Sequence, residues 1–143
     1  MIPVQQILQE KGGKVWTIEP QLSVFDALRL MAEKEIGALV VVEAGKIVGI
    51  FSERDYARKV ILEGRSSKDT PVRKIMTERV ITVDPNTTVE VCMGLMTDRH
   101  IRHLPVMEDN RLIGVISIGD VVKAIVSEQK SLIEHLENYI VGR

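Results

Sequence analysis

The heptapeptide Gly49-Ile50-Phe51-Ser52-Glu53-Arg54-Asp55 returns 65 residues later as Gly114-Val115-Ile116-Ser117-Ile118-Gly119-Asp120. In both copies a short apolar run ends in a serine, and an aspartate follows three residues on. Outward from it at the same offset, Val15, Thr17, Pro20, Val24, Leu30, Met31, Ile36, Leu39, Val41 and Glu43 land on Val80, Thr82, Pro85, Val89, Leu95, Met96, Ile101, Leu104, Val106 and Glu108. With the glycine, serine and aspartate of the heptapeptide these make 13 identities over 41 ungapped positions. Unrelated sequences give roughly two or three, so a duplicated unit is the first reading. Two copies imply a pseudo-twofold and a cleft between them.

Each copy reads as strand, helix, strand, turn, strand, helix. Val24, Ala27, Leu28 and Met31 fall at i, i+3, i+4 and i+7, and Val89, Cys92, Met93 and Met96 repeat that stripe, so the period predicts a helix twice. Pro20 and Ser23 mark the start of the first helix, and Thr87 with Glu90 has the spacing of a capping box for the second. Residues 38–42 and 47–51 are continuous apolar runs joined by Glu43-Ala44-Gly45-Lys46, which predicts a hairpin. Residues 104–107 and 112–116, joined by Glu108-Asp109-Asn110-Arg111, predict its counterpart. Runs this apolar are expected to be covered on both faces. A polar stretch at 63–69 reads as a surface loop, after which Thr70 is expected to cap a short helix with Pro71 in its first turn. Val4-Gln5-Gln6-Ile7-Leu8 resembles Val72-Arg73-Lys74-Ile75-Met76, so the duplication reaches the N-terminus at a changed offset. Leu132, Ile133, Leu136 and Ile140 give residues 127–143 the pattern of an amphipathic helix without a partner in the first copy. The expected division is therefore 1–64, 65–126 and 127–143.

A chain of 143 residues that is 45% hydrophobic suffices for one compact domain or two small repeats sharing a core. Charged residues make up 27% of it, yet the net charge is −1. That balance gives no general attraction to nucleic acid or anionic membrane, so any anion site is local. Cys92 is the only cysteine, which excludes a disulfide framework and the cysteine-rich zinc clusters. With no signal-like start and no run long enough to span a bilayer, the expected location is the cytoplasm. His100 and His103 lack a supporting acidic or cysteine cluster, so no metal site is expected. Cys92, on an apolar stripe, reads as a structural thiol, and Trp16 as a core residue.

The Ser-x-x-Asp element has two readings. Serine and aspartate three apart satisfy free amides at a helix start, and a structural cap would be duplicated with the rest. Alternatively, the amides and dipole of a helix N-terminus attract phosphate, while a carboxylate accepts both hydrogens of a ribose diol. Basic residues differ between the copies: Arg102-His103 stands where the first copy has Gly37-Ala38, and Arg54 and Arg58 stand where the second has Gly119 and Lys123. Two unequal sites are expected.

These motifs, together with residues 36–42, Ile101-Arg102-His103-Leu104-Pro105-Val106 and Thr82-Val83-Asp84-Pro85, resemble a tandem pair of cystathionine-β-synthase (CBS) domains, a Bateman module, over nearly the whole chain. The resemblance extends to the small stand-alone members of that family. It implies an α/β (α+β) fold of two β-α-β-β-α repeats, packed sheet to sheet, with two nucleotide clefts between them and further pairing into disc-like homodimers. It implies binding of AMP, ADP, ATP, NAD or S-adenosylmethionine and modulation of an unidentified partner protein, with no catalytic cofactor and no direct role for nucleic acid or membrane. By the same resemblance Asp55 and Asp120 hold ribose, and Ser52 and Ser117 approach phosphate together with Arg54, Arg58, Arg102 and His103. Adenine lies near Thr17, Thr82, Ala38 and His103, and Gly37, Pro105 and Gly119 line the sites. The absence of a basic group at Gly37-Ala38 favours AMP, or the AMP half of NAD, over a triphosphate. Two other readings of the same residues are a nucleotide hydrolase with Asp55 or Asp120 as base and a ligand-free dimerisation unit.

Overall fold

The computed structural model describes residues 1–12 and 14–141. In chain order its main elements are α1 (Val4–Lys11), β1 (Thr17–Ile18), α2 (Val24–Lys34), β2 (Ala38–Glu43), β3 (Lys46–Ser52), α3 (Glu53–Asp55), α4 (Val89–Arg99), β4 (His103–Glu108), β5 (Arg111–Ser117) and α5 (Ile118–Ile140). α3 runs straight into a π-helical stretch, Tyr56–Ile61, and a 3-10 turn, Val72–Lys74, precedes the second repeat. The fold is the expected mixture of helices and small sheets.

Two compact units form, and they do not follow chain order. One is Trp16–Val80; the other combines Met1–Val15 with Ile81–Arg143. The two similar apolar segments are thus exchanged. Val4 and Ile7 of α1 are buried with Val89, Cys92, Met96, Leu104, Val106, Ile116 and Val121 of the second repeat. Val72 and Ile75 are buried with Val24, Ala27, Met31, Leu39, Val41, Phe51 and Val60 of the first. A missing side chain in each receiving strand makes room. A Cβ on Gly114 would lie 2.5 Å from Cδ2 of Leu8, and one on Gly49 would lie 2.6 Å from Sδ of Met76. Each unit therefore has its own core, closed by the segment that precedes the other repeat in sequence.

In the first unit β1 pairs in parallel with β2, Thr17 opposite Val40, and β2 pairs antiparallel with β3. In the second, β4 and β5 pair antiparallel with the register shifted at Val106/Met107, matching the shift at Val41/Val42. The expected opening strand of the second repeat is reduced to one parallel bridge, Val83 to Val106. Asp84 turns the chain immediately afterwards by accepting the amides of Asn86 and Thr87 at 2.8 and 3.1 Å. The first four residues of β2 are buried, as continuous apolarity requires, but β3 and β5 alternate in exposure and are covered on one face more than the other.

Local signals at helix ends are partly shifted. Ser23 caps α2 by accepting the Asp26 amide. For α4 the cap is Thr88, not Thr87, because the Thr87 hydroxyl is taken by the Asp84 amide at 3.2 Å. Pro71 lies just outside the helical turn in extended conformation, so that turn is three residues long and Thr70 is not its cap. The terminal amphipathic segment is not a separate helix either. α5 runs unbroken for 23 residues, across the 126/127 boundary, and Leu132, Ile133, Leu136, Tyr139 and Ile140 on it are exposed. Among the described residues no helix is long and apolar enough to cross a membrane.

Both hairpin loops place two residues at positive φ, Ala44 (53°) with Gly45 (77°) and Asp109 (50°) with Asn110 (61°). Such turns match the twist of the flanking strands and favour Asn, Asp or Gly. Ala44 is the misfit, since its Cβ crowds the backbone in the left-handed region. Ala44→Asn is expected to raise the urea midpoint, corresponding to about 0.5–1 kcal/mol. An unchanged or lowered midpoint would contradict the strain assigned to this turn.

Candidate functional site

Each Ser-x-x-Asp element sits where a strand turns directly into a helix. In the first unit the Ser52 amide donates to Oδ2 of Asp55 at 2.9 Å, and the Asp55 amide donates to the Ser52 hydroxyl at 3.2 Å. In the second, the Ser117 amide reaches Oδ2 of Asp120 at 2.9 Å, and the Asp120 amide reaches the Ser117 hydroxyl at 3.1 Å. Both are reciprocal capping boxes. The next amide is satisfied by the residue that immediately precedes the paired strand. Glu53 N–H donates to the Gly37 carbonyl at 3.1 Å, and Ile118 N–H donates to the Arg102 carbonyl at 2.8 Å. The capping reading of the motif is therefore correct, and any ligand role is additional to it.

The surroundings of the two carboxylates differ. Asp55 is only 8% exposed. Its Oδ2 also accepts the Ser52 hydroxyl at 3.0 Å, while Oδ1 accepts the Thr77 hydroxyl at 3.0 Å and pairs with Nζ of Lys59 at 3.1 Å. Asp120 instead meets Nζ of Lys11, the last residue of α1, at 2.8 Å. The same ammonium donates to the Val115 carbonyl at 2.8 Å. Burial pushes the Asp120 carboxyl upward, but the Lys11 ammonium and the Ser117 amide and hydroxyl outweigh it and hold the group below its ordinary value of 3.8. Spacing offered Lys59, at i+4 from Asp55, as a visible partner. Nothing in the motif points to Lys11 or Thr77, because both arrive through tertiary packing, Lys11 from 109 residues away.

His103 opens β4 opposite Ser117, as Ala38 opens β2 opposite Ser52. Burial lowers the His103 pKa, Lys11 and Arg102 lower it further, and Asp120 only partly opposes them, so the imidazole is neutral at pH 7. Arg102 is exposed beside it, Pro105 is buried in the same strand, and exposed Gly119 lies in the first turn of α5. In the first unit Gly37 and buried Ala38 stand at the start of β2, Arg54 lies in α3, and exposed Arg58 lies on the π-helical stretch. Thr17 and Thr82 are both exposed, one on β1 and the other just before the Val83 bridge. Around Asp120 the second unit thus gathers Lys11, Arg102, His103 and Ser117, a set suited to a sugar phosphate. His100 is apart from His103 in role: it caps α4 in left-handed conformation. Among the described residues no three His, Cys, Asp or Glu side chains come together as metal ligands.

Comparison with known proteins agrees with this duplicated architecture. The family model described as CBS domain matches residues 7–62 and again 72–127. The mitochondrial CBS domain-containing protein CBSX3 of Arabidopsis thaliana is 50% identical over 136 residues, 92% of this chain; the chain spans 66% of that relative's length. A CBS-domain protein of known structure from Burkholderia ambifaria MC40-6 is 50% identical with a TM-score of 0.85, covering 89% of this chain and 96% of its own. The CBS domain pair of MJ0100, solved with 5′-methylthioadenosine and S-adenosyl-L-methionine, is 25% identical with a TM-score of 0.79, covering 90% of this chain and 98% of its own.

Two outcomes follow for this region. Lys11→Met is expected to lower stability at neutral pH by about 1 kcal/mol or less, since the ammonium is partly exposed. Because the folded-state pKa of Asp120 is depressed, the ion pair contributes fully above the ordinary carboxylate value and is lost as pH falls through the lower folded value. Urea unfolding of the variant and the parent should therefore converge in acid; a gap that persists or widens there would contradict the pairing. Cys92 is fully buried, and burial pushes its thiol up to about 11, against a lowering backbone hydrogen bond and with a small raising effect from Glu90. Its labelling by a disulfide reagent at pH 7 should track global unfolding in urea, and rapid labelling of the native protein would contradict that burial.

Proposed function

The chain belongs to the CBS domain family, and from that premise we propose that it is a regulatory module that binds an adenosine-containing ligand, AMP or the AMP half of NAD foremost, and modulates a partner protein. The observation that carries the reading is the carboxylate of Asp120 held at a strand-to-helix turn among Lys11, Arg102 and a neutral His103. A carboxylate accepts the two hydrogens of a ribose diol, and the basic groups favour a phosphate on the same nucleoside. A neutral imidazole suits a purine edge, which offers both donors and acceptors.

In this reading Asp55 and Asp120 are the sugar positions and Ser52 and Ser117 the phosphate-side positions, assisted by Arg54, Arg58 and Arg102. Thr17, Ala38, Thr82 and His103 border the base, with Gly37, Pro105 and Gly119 lining the sites. The two ligands of the MJ0100 pair support the choice of adenosine as the recognised part, since they share it with AMP and NAD. They also favour a second reading, in which the ligand is S-adenosylmethionine or its thioether product. Turnover is disfavoured by the donors around Asp55, which are Ser52, Thr77 and Lys59 where phosphoryl chemistry would want another carboxylate for magnesium. The exposed apolar residues of α5 are the proposed surface for self-association.

Native mass spectrometry of the purified chain, followed by melting with AMP, ATP, NAD and S-adenosylmethionine, tests these points together. The expected result is a multimer and a melting temperature raised by AMP more than by ATP. At a free ligand concentration of about 100 Kd the added stability is about 2.7 kcal/mol. A monomer would remove the α5 contact, stronger binding of S-adenosylmethionine would select the second reading, and no shift with any adenosine compound would sink the proposal.

A further inference from the structure

We propose that the two repeats divide their tasks: the Asp120 carboxylate receives the ligand's sugar, the Asp55 carboxylate is reserved for the fold, and Lys11 is the group that the sugar displaces. This rests on the adenosine reading and assigns it to one half of the chain.

The argument is one of hydrogen-bond capacity. An ionised carboxylate offers about four acceptor positions. Asp55 fills them with the Ser52 amide and hydroxyl on Oδ2 and the Thr77 hydroxyl and Lys59 ammonium on Oδ1. Only Lys59 is placed to leave, with a side chain 40% exposed and a second acceptor in the Ile75 carbonyl at 3.2 Å, and its departure would free a single position. The Ser52 pair is the cap itself, and Thr77 is pinned by reciprocal backbone bonds to Ile50, each 2.9 Å. A ribose diol brings two donors, so it would have to break the unit's own structure to be accepted.

Asp120 takes the Ser117 amide and the Lys11 ammonium on Oδ2 and is also stabilised by the Ser117 hydroxyl, so without Lys11 only the cap remains on it. Lys11 can leave as Lys59 can, but it leaves behind a carboxylate held by the Ser117 cap alone, whereas Asp55 would still hold Thr77. Lys11 ends a helix, its side chain is 39% exposed, and its four-carbon stem lets the ammonium swing. Its bond to the Val115 carbonyl gives it a second acceptor when the sugar takes its place. A phosphate would then find the released ammonium beside Arg102 and His103. Since Lys11 fastens the C-terminal end of α1 to the start of α5, ligand binding is transmitted to α1 by the exchange of one ion pair.

Adenosine and AMP titrated into the isotopically labelled protein, read by amide spectra and calorimetry, test this without altering the fold. The expected result is one equivalent per chain, with the amides of Lys11, Ser117 and Asp120 moving and those of Ser52 and Asp55 staying in place. Lys11→Met should bind adenosine roughly three- to tenfold more tightly, because a competitor is removed. It should gain less with AMP, because a phosphate partner is lost. Asp120→Asn, with a dispersed spectrum confirming its fold, should weaken both by tenfold or more. Two equivalents per chain, or shifts centred on Ser52 and Asp55, would overturn the division of tasks while leaving the adenosine reading intact. Adenosine binding by Lys11→Met no tighter than by the parent would overturn the displacement. No response of the parent protein to either compound would overturn the underlying reading and this inference with it.

Discussion

Everything in this molecule depends on a strand that becomes a helix without a connecting loop, twice. At Ser52 and at Ser117 the last residue of the strand is also the helix cap, so one side chain belongs to two elements. Such a junction leaves amides exposed at the helix start, and the reciprocal bonds to Asp55 and Asp120 satisfy them at a worth of about 1 kcal/mol for a typical cap. The carbonyls of Gly37 and Arg102 take the next amide and so tie the helix start to the strand paired with it. Any chemistry at this junction must share its serine and carboxylate with the cap. The two copies differ in how much capacity that sharing leaves.

The second organising feature is the exchange of the short segments ahead of each repeat. Leu8 seats over Gly114 and Met76 over Gly49, and these glycines recur because a side chain there would meet the incoming segment. Burial of Val4 and Ile7 in one unit and of Val72 and Ile75 in the other completes two cores that the contiguous repeats alone would leave open. Each fully buried aliphatic side chain stabilises by about 1.5–3 kcal/mol relative to exposure, which is ample reason for the segments to stay docked. The exchange is also what delivers Lys11 to Asp120 and Thr77 to Asp55.

Much of this was legible in the residues because periodic signals survive duplication. The helical stripes at Val24 and Val89, the hairpins and the Ser-x-x-Asp turns each appeared twice, and the structure has all of them. What went unseen was local competition and distance. Thr87 looks like a cap until Asp84 is found to claim its hydroxyl, and the second repeat's first strand looks complete until the same aspartate turns the chain. The similarity of residues 4–8 to 72–76 was visible, but no pattern in one chain says which core each segment will join. The carboxylates were found by spacing, whereas their differing partners required coordinates. The break between repeat and terminal helix vanished because nothing between Ser127 and Leu132 stops a helix once α5 has begun.

The discontinuous unit also sets an order of events during synthesis. Trp16–Val80 is contiguous, so it can close while the ribosome is still adding the second half. α1 emerges ahead of both repeats yet has no core to enter until Val106, Ile116 and Val121 have been made, about a hundred residues later. During that interval its apolar face is exposed, and Val72 and Ile75, which resemble it, are the segment that must fill the first core. The shared Val-x-x-Ile pattern of the two docking pieces thus makes the nascent chain vulnerable to a misthreaded intermediate, one that only completion of the later half can resolve.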